Sequence, residues 1–178
     1  MQPSPLSGLH RQVWIALLAA LIAVGAFIQF PIGPVPVTLQ TFFIVLAGFI
    51  LGPVNGALAM LLYIVAGVIG LPIFAGGKAG FAVLFGPTGG YLIGFIATAY
   101  LAGLGKYSKG TARPLLWGLL GLAAVYLIGF LRLKFVLDIS YAKAFAVGVV
   151  PFIAGDIIKV ATATIALNFL CKQGLLPE

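Results

Sequence analysis

Val150-Pro151-Phe152-Ile153-Ala154-Gly155-Asp156-Ile157-Ile158-Lys159-Val160-Ala161, continued in mostly apolar residues to Cys171, is a stretch of hydrocarbon interrupted by one carboxylate and one ammonium. Its length matches the roughly 20 residues a helix needs to cross a hydrocarbon core of about 30 Å. Asp156 and Lys159 are three positions apart and so project from nearly the same helix face. Charges at such depth need a partner or a ligand, so this one stretch indicates both a membrane fold and a candidate site.

The rest of the chain agrees. Of 178 residues, 62% are hydrophobic and 7% charged, and the mean hydropathy is +1.22, far from the quarter or so of charged residues in soluble domains. Apolar runs of spanning length fall at 12–29, 36–52, 54–71, 87–104, 115–132 and 150–171, which predicts an all-α integral membrane protein, a bundle of six transmembrane helices forming a single domain over residues 1–178. Spans two and three are divided only by Gly52-Pro53-Val54-Asn55-Gly56, and five spans is the alternative count. His10 and Arg11 precede the first run, yet its length and the five runs that follow favour a retained helix over a cleaved signal. With six spans, the side of the termini carries Arg11, Lys106, Lys109, Arg113 and Lys172. The other carries Lys78, Arg132, Lys134 and Lys143, partly offset by Asp138. That bias places both termini in the cytoplasm and turns the loops at 30–36, 72–86 and 133–149 outward.

Several function classes fall away. The formal charge of +7 is scattered over short loops without aromatic interleaving, which suits a bilayer surface and not nucleic acid. One cysteine, Cys171, excludes an internal disulfide, and one histidine, His10, leaves no transition-metal cluster. Gly76-Gly77-Lys78-Ala79 superficially matches a phosphate loop, but Pro72 stands where the leading glycine belongs and Ala79 replaces the hydroxyl residue. No serine lies beside a histidine, so a hydrolase triad is not expected.

The remaining features suit solute binding. Gly70 to Phe81 is glycine-rich, apolar and carries Lys78; it reads either as a lid folded inward or as a plain connector. Phe85-Gly86-Pro87-Thr88-Gly89-Gly90-Tyr91 opens the fourth span, where Gly89 and Gly90 either expose N–H groups to an anion or let helices approach closely. In Phe30-Pro31-Ile32-Gly33-Pro34-Val35-Pro36 the prolines predict a stiff extended loop over the outer mouth, followed by Thr38, Gln40 and Thr41 as hydrogen-bonding groups. Ala16, Ala19, Ala20 and Ala23 form two overlapping small-xxx-small pairs for close packing of another helix, inside or outside this chain. A helix starting near Val150 puts Asp156 and Lys159 roughly 9 and 13 Å deep. They then share the outer half of the bilayer with Gln40, Lys78 and the mouth of span four.

Four of these motifs, in order, resemble the BioY family, the biotin-specific substrate-binding components of energy-coupling factor (ECF) vitamin transporters. They are Gly33-Pro34-Val35-Pro36-Val37-Thr38-Leu39-Gln40-Thr41, Gly70-Leu71-Pro72 with Ala75-Gly76-Gly77, Gly86-Pro87-Thr88-Gly89-Gly90-Tyr91, and Asp156 with Lys159. The match runs from about residue 12 to 171; 105–114 and 132–145 add little. The resemblance implies a non-enzymatic, multi-pass protein of the cell membrane that binds biotin with high affinity as its transported ligand, with no cofactor. Its implied partners are a transmembrane coupling protein, docked on the face of Ala16, Ala19, Ala20 and Ala23, and ABC-type ATPases that supply energy. On biotin's chemistry, Asp156 would accept a ureido N–H, Lys159 would orient Asp156 and donate to a ligand oxygen, and Lys78 would meet the carboxylate, with the N–H groups near Gly89 and Gly90 as the second candidate. Family members often carry arginine in that loop, and lysine offers one-point contact instead of a fork. Phe74, Phe81 and Tyr91 would wall the apolar part, and Tyr63 would add a hydroxyl. From the residues alone, a stand-alone proton-coupled secondary transporter of a small anionic solute is the alternative.

Overall fold

A computed structural model describes residues 5–106 and 110–174, so Lys109 lies outside the described residues. Along the chain run α1 (Pro5–Phe27), a hairpin of β1 (Gln29–Phe30) and β2 (Val37–Thr38), α2 (Gln40–Leu51), α3 (Pro53–Val68), α4 (Ala82–Phe85), α5 (Gly89–Gly103), α6 (Ala112–Leu137), α7 (Tyr141–Gly148) and α8 (Val150–Lys172). Six of these, α1, α2, α3, α5, α6 and α8, fall on the six expected spans. The doubtful division is a single residue wide. Gly52 turns the chain with φ 83° and ψ 178°, a backbone few other residues adopt. Pro53 then opens α3 at a position where its missing N–H costs nothing.

The six are unequal. Among the described residues, three helical segments are long and apolar enough to cross a membrane: Gly8–Phe27, Ala112–Leu137 and Tyr141–Lys172, the last joining α7 to α8. With 12, 16 and 15 residues, α2, α3 and α5 are about 18, 24 and 23 Å long at 1.5 Å per residue, short of a core of about 30 Å. The shortfall lies at the end away from the termini. Lys159, nine residues into α8, reaches the carbonyl of Thr38 just ahead of α2, so α2 begins below the top of α8. The space left above is roofed by connecting segments.

Those segments are more ordered than extended loops. Between α1 and α2 the chain forms an antiparallel hairpin, with Gln29 opposite Thr38 and Phe30 opposite Val37. Pro31, Pro34 and Pro36 lack an N–H, which limits pairing to the two residues at each end. The expected outer loop at 133–149 is largely helical instead. α6 continues to Leu137, the chain reverses through Asp138 in a left-handed conformation (φ 48°), and Ser140 caps α7 by accepting the Lys143 N–H at 3.3 Å. Hydropathy marked only the lipid-depth part of α6; Arg132 and Lys134 ended the apolar run without ending the helix.

At the other end the bundle closes on itself. Gly48 of α2 packs against the backbone of Ala99 and Gly103 in α5, and Gly56 of α3 against Gly48. Asn168 Nδ2 of α8 donates to Thr111 Oγ1 ahead of α6 at 3.2 Å. Between the two ends lies a core of large buried side chains, among them Phe49, Ile44, Met60, Val160 and Leu167.

Candidate solute-binding site

Asp156 and Lys159 are where the sequence expects them, on one face of α8, and they are paired. Lys159 Nζ donates to Asp156 Oδ1 at 2.7 Å, and its second donor reaches the Thr38 carbonyl at 2.6 Å. Tyr126 of α6 donates its hydroxyl to Asp156 Oδ2 at 2.8 Å. The Asp156 side chain is 5% exposed and that of Lys159 14%. Three elements therefore meet at one ion pair, and each ion is hydrogen-bonded beyond its partner, as burial of charge demands. The pair is not saturated: an ammonium has three donors and a carboxylate about four lone-pair sites, leaving one donor and two acceptor positions.

A cavity opens beside this network at the end opposite the termini, with a volume of about 740 Å³ including its open mouth. Its predominantly apolar lining with a few convergent polar groups is typical of small-molecule sites. Gln40 and Thr41 form its wall at the head of α2, Tyr91 and Phe95 on α5, Tyr126 on α6, and Phe152 on α8.

The Gly70–Phe81 segment folds inward. Gly80 N donates to the Gly67 carbonyl of α3 at 2.8 Å, and Phe74 N to the Lys78 carbonyl at 3.0 Å across a tight turn through Gly76 (φ 78°) and Gly77 (φ 68°). The turn sends Phe74 down, 2% exposed, edge-on to Tyr63 at 5.6 Å between ring centroids. Lys78 stays exposed at the mouth while lining the cavity. One cation thus guards the entrance and one ion pair the interior.

Of the expected site residues, Asp156, Lys159, Lys78, Gln40, Tyr91 and Phe74 line this cavity. Gln40 is 3% exposed, and its amide nitrogen, buried beside the Tyr63 hydroxyl, meets no partner within hydrogen-bond geometry. Tyr91 also ties α5 to the end of α7, its hydroxyl donating to the Gly148 carbonyl at 2.8 Å. Four expectations do not reach the lining. Tyr63 spends its hydroxyl on the Ile73 carbonyl at 3.1 Å, behind Phe74. Gly89 donates its N–H to the Gly86 carbonyl, and a side chain on Gly90 would run into Arg132 and Ile128 of α6, so close helix approach accounts for a glycine at position 90. Phe81 is 60% exposed and stacks edge-on with Phe85 away from the cavity.

Tyr126 was missed. The available signal was a hydroxyl at mid-helix in an otherwise apolar span, but which hydroxyl faces Asp156 depends on how α6 packs on α8. The alanine face also divides. Ala16 and Ala20 are exposed, Ala23 is half-buried, and Ala19 packs inside the chain's own core at 7% exposure. Among the described residues no group of three or more histidine, cysteine or acidic side chains comes together to hold a metal ion.

Comparison with known proteins gives a consistent result. A model of the BioY family matches residues 1–174. The probable biotin transporter BioY of Pyrococcus horikoshii is 50% identical over 152 residues, 85% of this chain and 90% of that protein. The biotin transporter BioY of Thermotoga maritima is 46% identical over 162 residues, 90% and 95% of the two chains. Among solved structures, the S-component for biotin from an ECF-type ABC transporter superposes with a TM-score of 0.89 at 31% identity, covering 99% of this chain and 100% of that one.

Proposed function

Because the chain belongs to the BioY family, we propose that it is the membrane-embedded, high-affinity biotin-binding subunit of a biotin uptake system, energised by partner proteins. The observation that carries the reading is the buried Asp156–Lys159 pair, which has hydrogen-bonding capacity left over at the edge of a largely apolar cavity. Biotin has the complementary pattern: two ureido N–H donors and a carbonyl at one end, an apolar thiolane and valeryl chain, and a carboxylate at the other.

In this reading Asp156 accepts a ureido N–H and the third donor of Lys159 meets the ureido oxygen, both charge-assisted in a site with little water. Tyr91, Phe95 and Phe152 flank the apolar body. Lys78 at the mouth receives the carboxylate, and the unpaired amide of Gln40 gains an acceptor from the solute. The cavity opens outward from the cell membrane, both termini are cytoplasmic, and a transmembrane coupling protein with ABC-type ATPases drives transport. Ala16 and Ala20, the exposed half of the alanine face, form the docking surface, with Ala19 behind them.

Native mass spectrometry of the purified chain tests the assignment. A 1:1 complex with biotin, retained from the cell or formed on addition, is expected; a chain that neither retains nor takes up biotin overturns it.

A further inference from the structure

Asp156 is held by two partners on different oxygens and from different helices: Lys159 on Oδ1 and Tyr126 on Oδ2. The distinction matters because the terminal torsion of an aspartate is broad. An ammonium alone, a compact charge without directional preference, leaves the carboxylate plane free to turn. A phenol fixed on a second helix does not. The Tyr126 ring packs against both the buried cluster of Val45, Phe49 and Val160 and that of Val125, Leu133 and Phe152, which restricts where its hydroxyl can sit. With its proton given to Asp156, that oxygen faces the cavity only as an acceptor.

We infer that Tyr126 is a positioning residue for the solute: it locks the carboxylate plane of Asp156 so that the remaining lone pairs face the cavity, and so selects ligands that present an N–H donor there. This rests on the biotin reading and adds to it a residue that acts through Asp156 and need not touch the ligand itself.

The test is titration of the purified full chain with biotin and with its two singly N-methylated ureido analogues, in wild type, Tyr126→Phe, Asp156→Asn and the double variant. Tyr126→Phe is expected to weaken biotin about 10- to 100-fold, the range for losing a hydrogen bond to a charged group, with the ligand-free melting temperature close to wild type. For the analogue whose methyl replaces the N–H facing Asp156, and in the Asp156→Asn background, the same substitution is expected to cost less than about threefold, since interacting residues fail to add. An equal loss for every ligand and background makes Tyr126 mere wall and overturns the inference, as does an unchanged biotin affinity. Should Tyr126→Phe prove unstable, Tyr126→Met deletes the same donor. A wild-type chain that binds no biotin overturns both this inference and the biotin reading, whereas wild-type binding with an indifferent Tyr126→Phe overturns this one alone.

Discussion

At the end of the bundle that holds the termini, α2 and α5 touch backbone to backbone; at the other, the same two helices begin at Gln40 and Gly89 with a cavity beside them. A methyl built on Gly48 would lie 2.9 Å from Ala102 Cβ and 2.9 Å from the Gly103 nitrogen, and one on Gly56 2.8 Å from Gly48 Cα, closer than real contacts allow. In lipid there is little hydrophobic drive between helices, so such close van der Waals packing is what holds them. The glycine-packed end acts as a clamp, and the open end leaves room for a solute because α2, α3 and α5 stop short and leave the lining there to the β1–β2 hairpin, the inward turn at Phe74 and α4. Stability and binding are therefore assigned to opposite ends of the same helices, and substitutions at the two ends should separate them.

The largest effect is expected at the open end, from Asp156→Ala. It strands the Lys159 ammonium beside a single carbonyl, and breaking a buried pair from one side costs about 3–5 kcal/mol. Biotin affinity measured by calorimetry should fall more than 100-fold, and the ligand-free melting temperature should drop with it. Removing both charges in Asp156→Asn with Lys159→Met should restore much of the melting temperature and none of the affinity. If the double variant binds biotin as wild type does, the pair is architecture and the comparison of ends collapses.

Gly48→Val probes the clamp. Its added carbons meet backbone atoms that cannot swing aside, and overpacking of this kind costs about 1–3 kcal/mol. The melting temperature in detergent should fall while the folded fraction retains wild-type biotin affinity. A variant with normal stability and impaired affinity would reverse the roles of the two ends.

How much of this was legible in the sequence also differs between the ends. Asp156 and Lys159 could be placed on one helix face because both lie in one segment and local helical geometry suffices. Gly52-Pro53 likewise divides α2 from α3 by purely local chemistry. Relations between segments were not legible. Tyr126 reaches Asp156 across thirty residues, and Lys159 reaches Thr38 across 121, both through packing that no periodicity encodes. Gly89 and Gly90 have two readings, anion nest or close helix approach, and the contact that supports the second at Gly90, with Arg132 and Ile128 of α6, lies between segments. The segment 133–149 reads as loop because Arg132, Lys134 and Asp138 break the apolar run at the end of α6, and the eight residues of α7 are too few to stand out as a span.

A smaller effect is expected at the mouth. Lys78 is exposed, so its attraction to a ligand carboxylate is screened, and rim charges of this kind are weak. Lys78→Ala should lower biotin affinity about three- to fivefold at low salt and less at high salt, with no change for biotinamide, which has no carboxylate. Lys78→Arg, able to grip a carboxylate with two parallel donors, should match or exceed wild type. Equal losses for biotin and biotinamide would remove the carboxylate from the mouth and point the solute the other way round in the cavity.

The smallest effect on the isolated chain is expected on the lipid face of α1, where the comparison extends from ends to sides. Ala19 and Ala20 are neighbours in sequence but Ala19 is in the core and Ala20 is exposed. Ala19→Trp should therefore unfold or destabilise the chain and says nothing about partners. Ala20→Trp should change the melting temperature and the biotin affinity little, since exposed substitutions usually stay within about 0.5 kcal/mol. Yet if α1 docks the coupling protein through its small residues, an indole at position 20 props the two helices apart. Copurification with the coupling components, and with it energised uptake, should then be lost while biotin binding persists. Intact copurification with Ala20→Trp, and likewise with Ala16→Trp, would leave those alanines to lipid and move the docking surface to another exposed face.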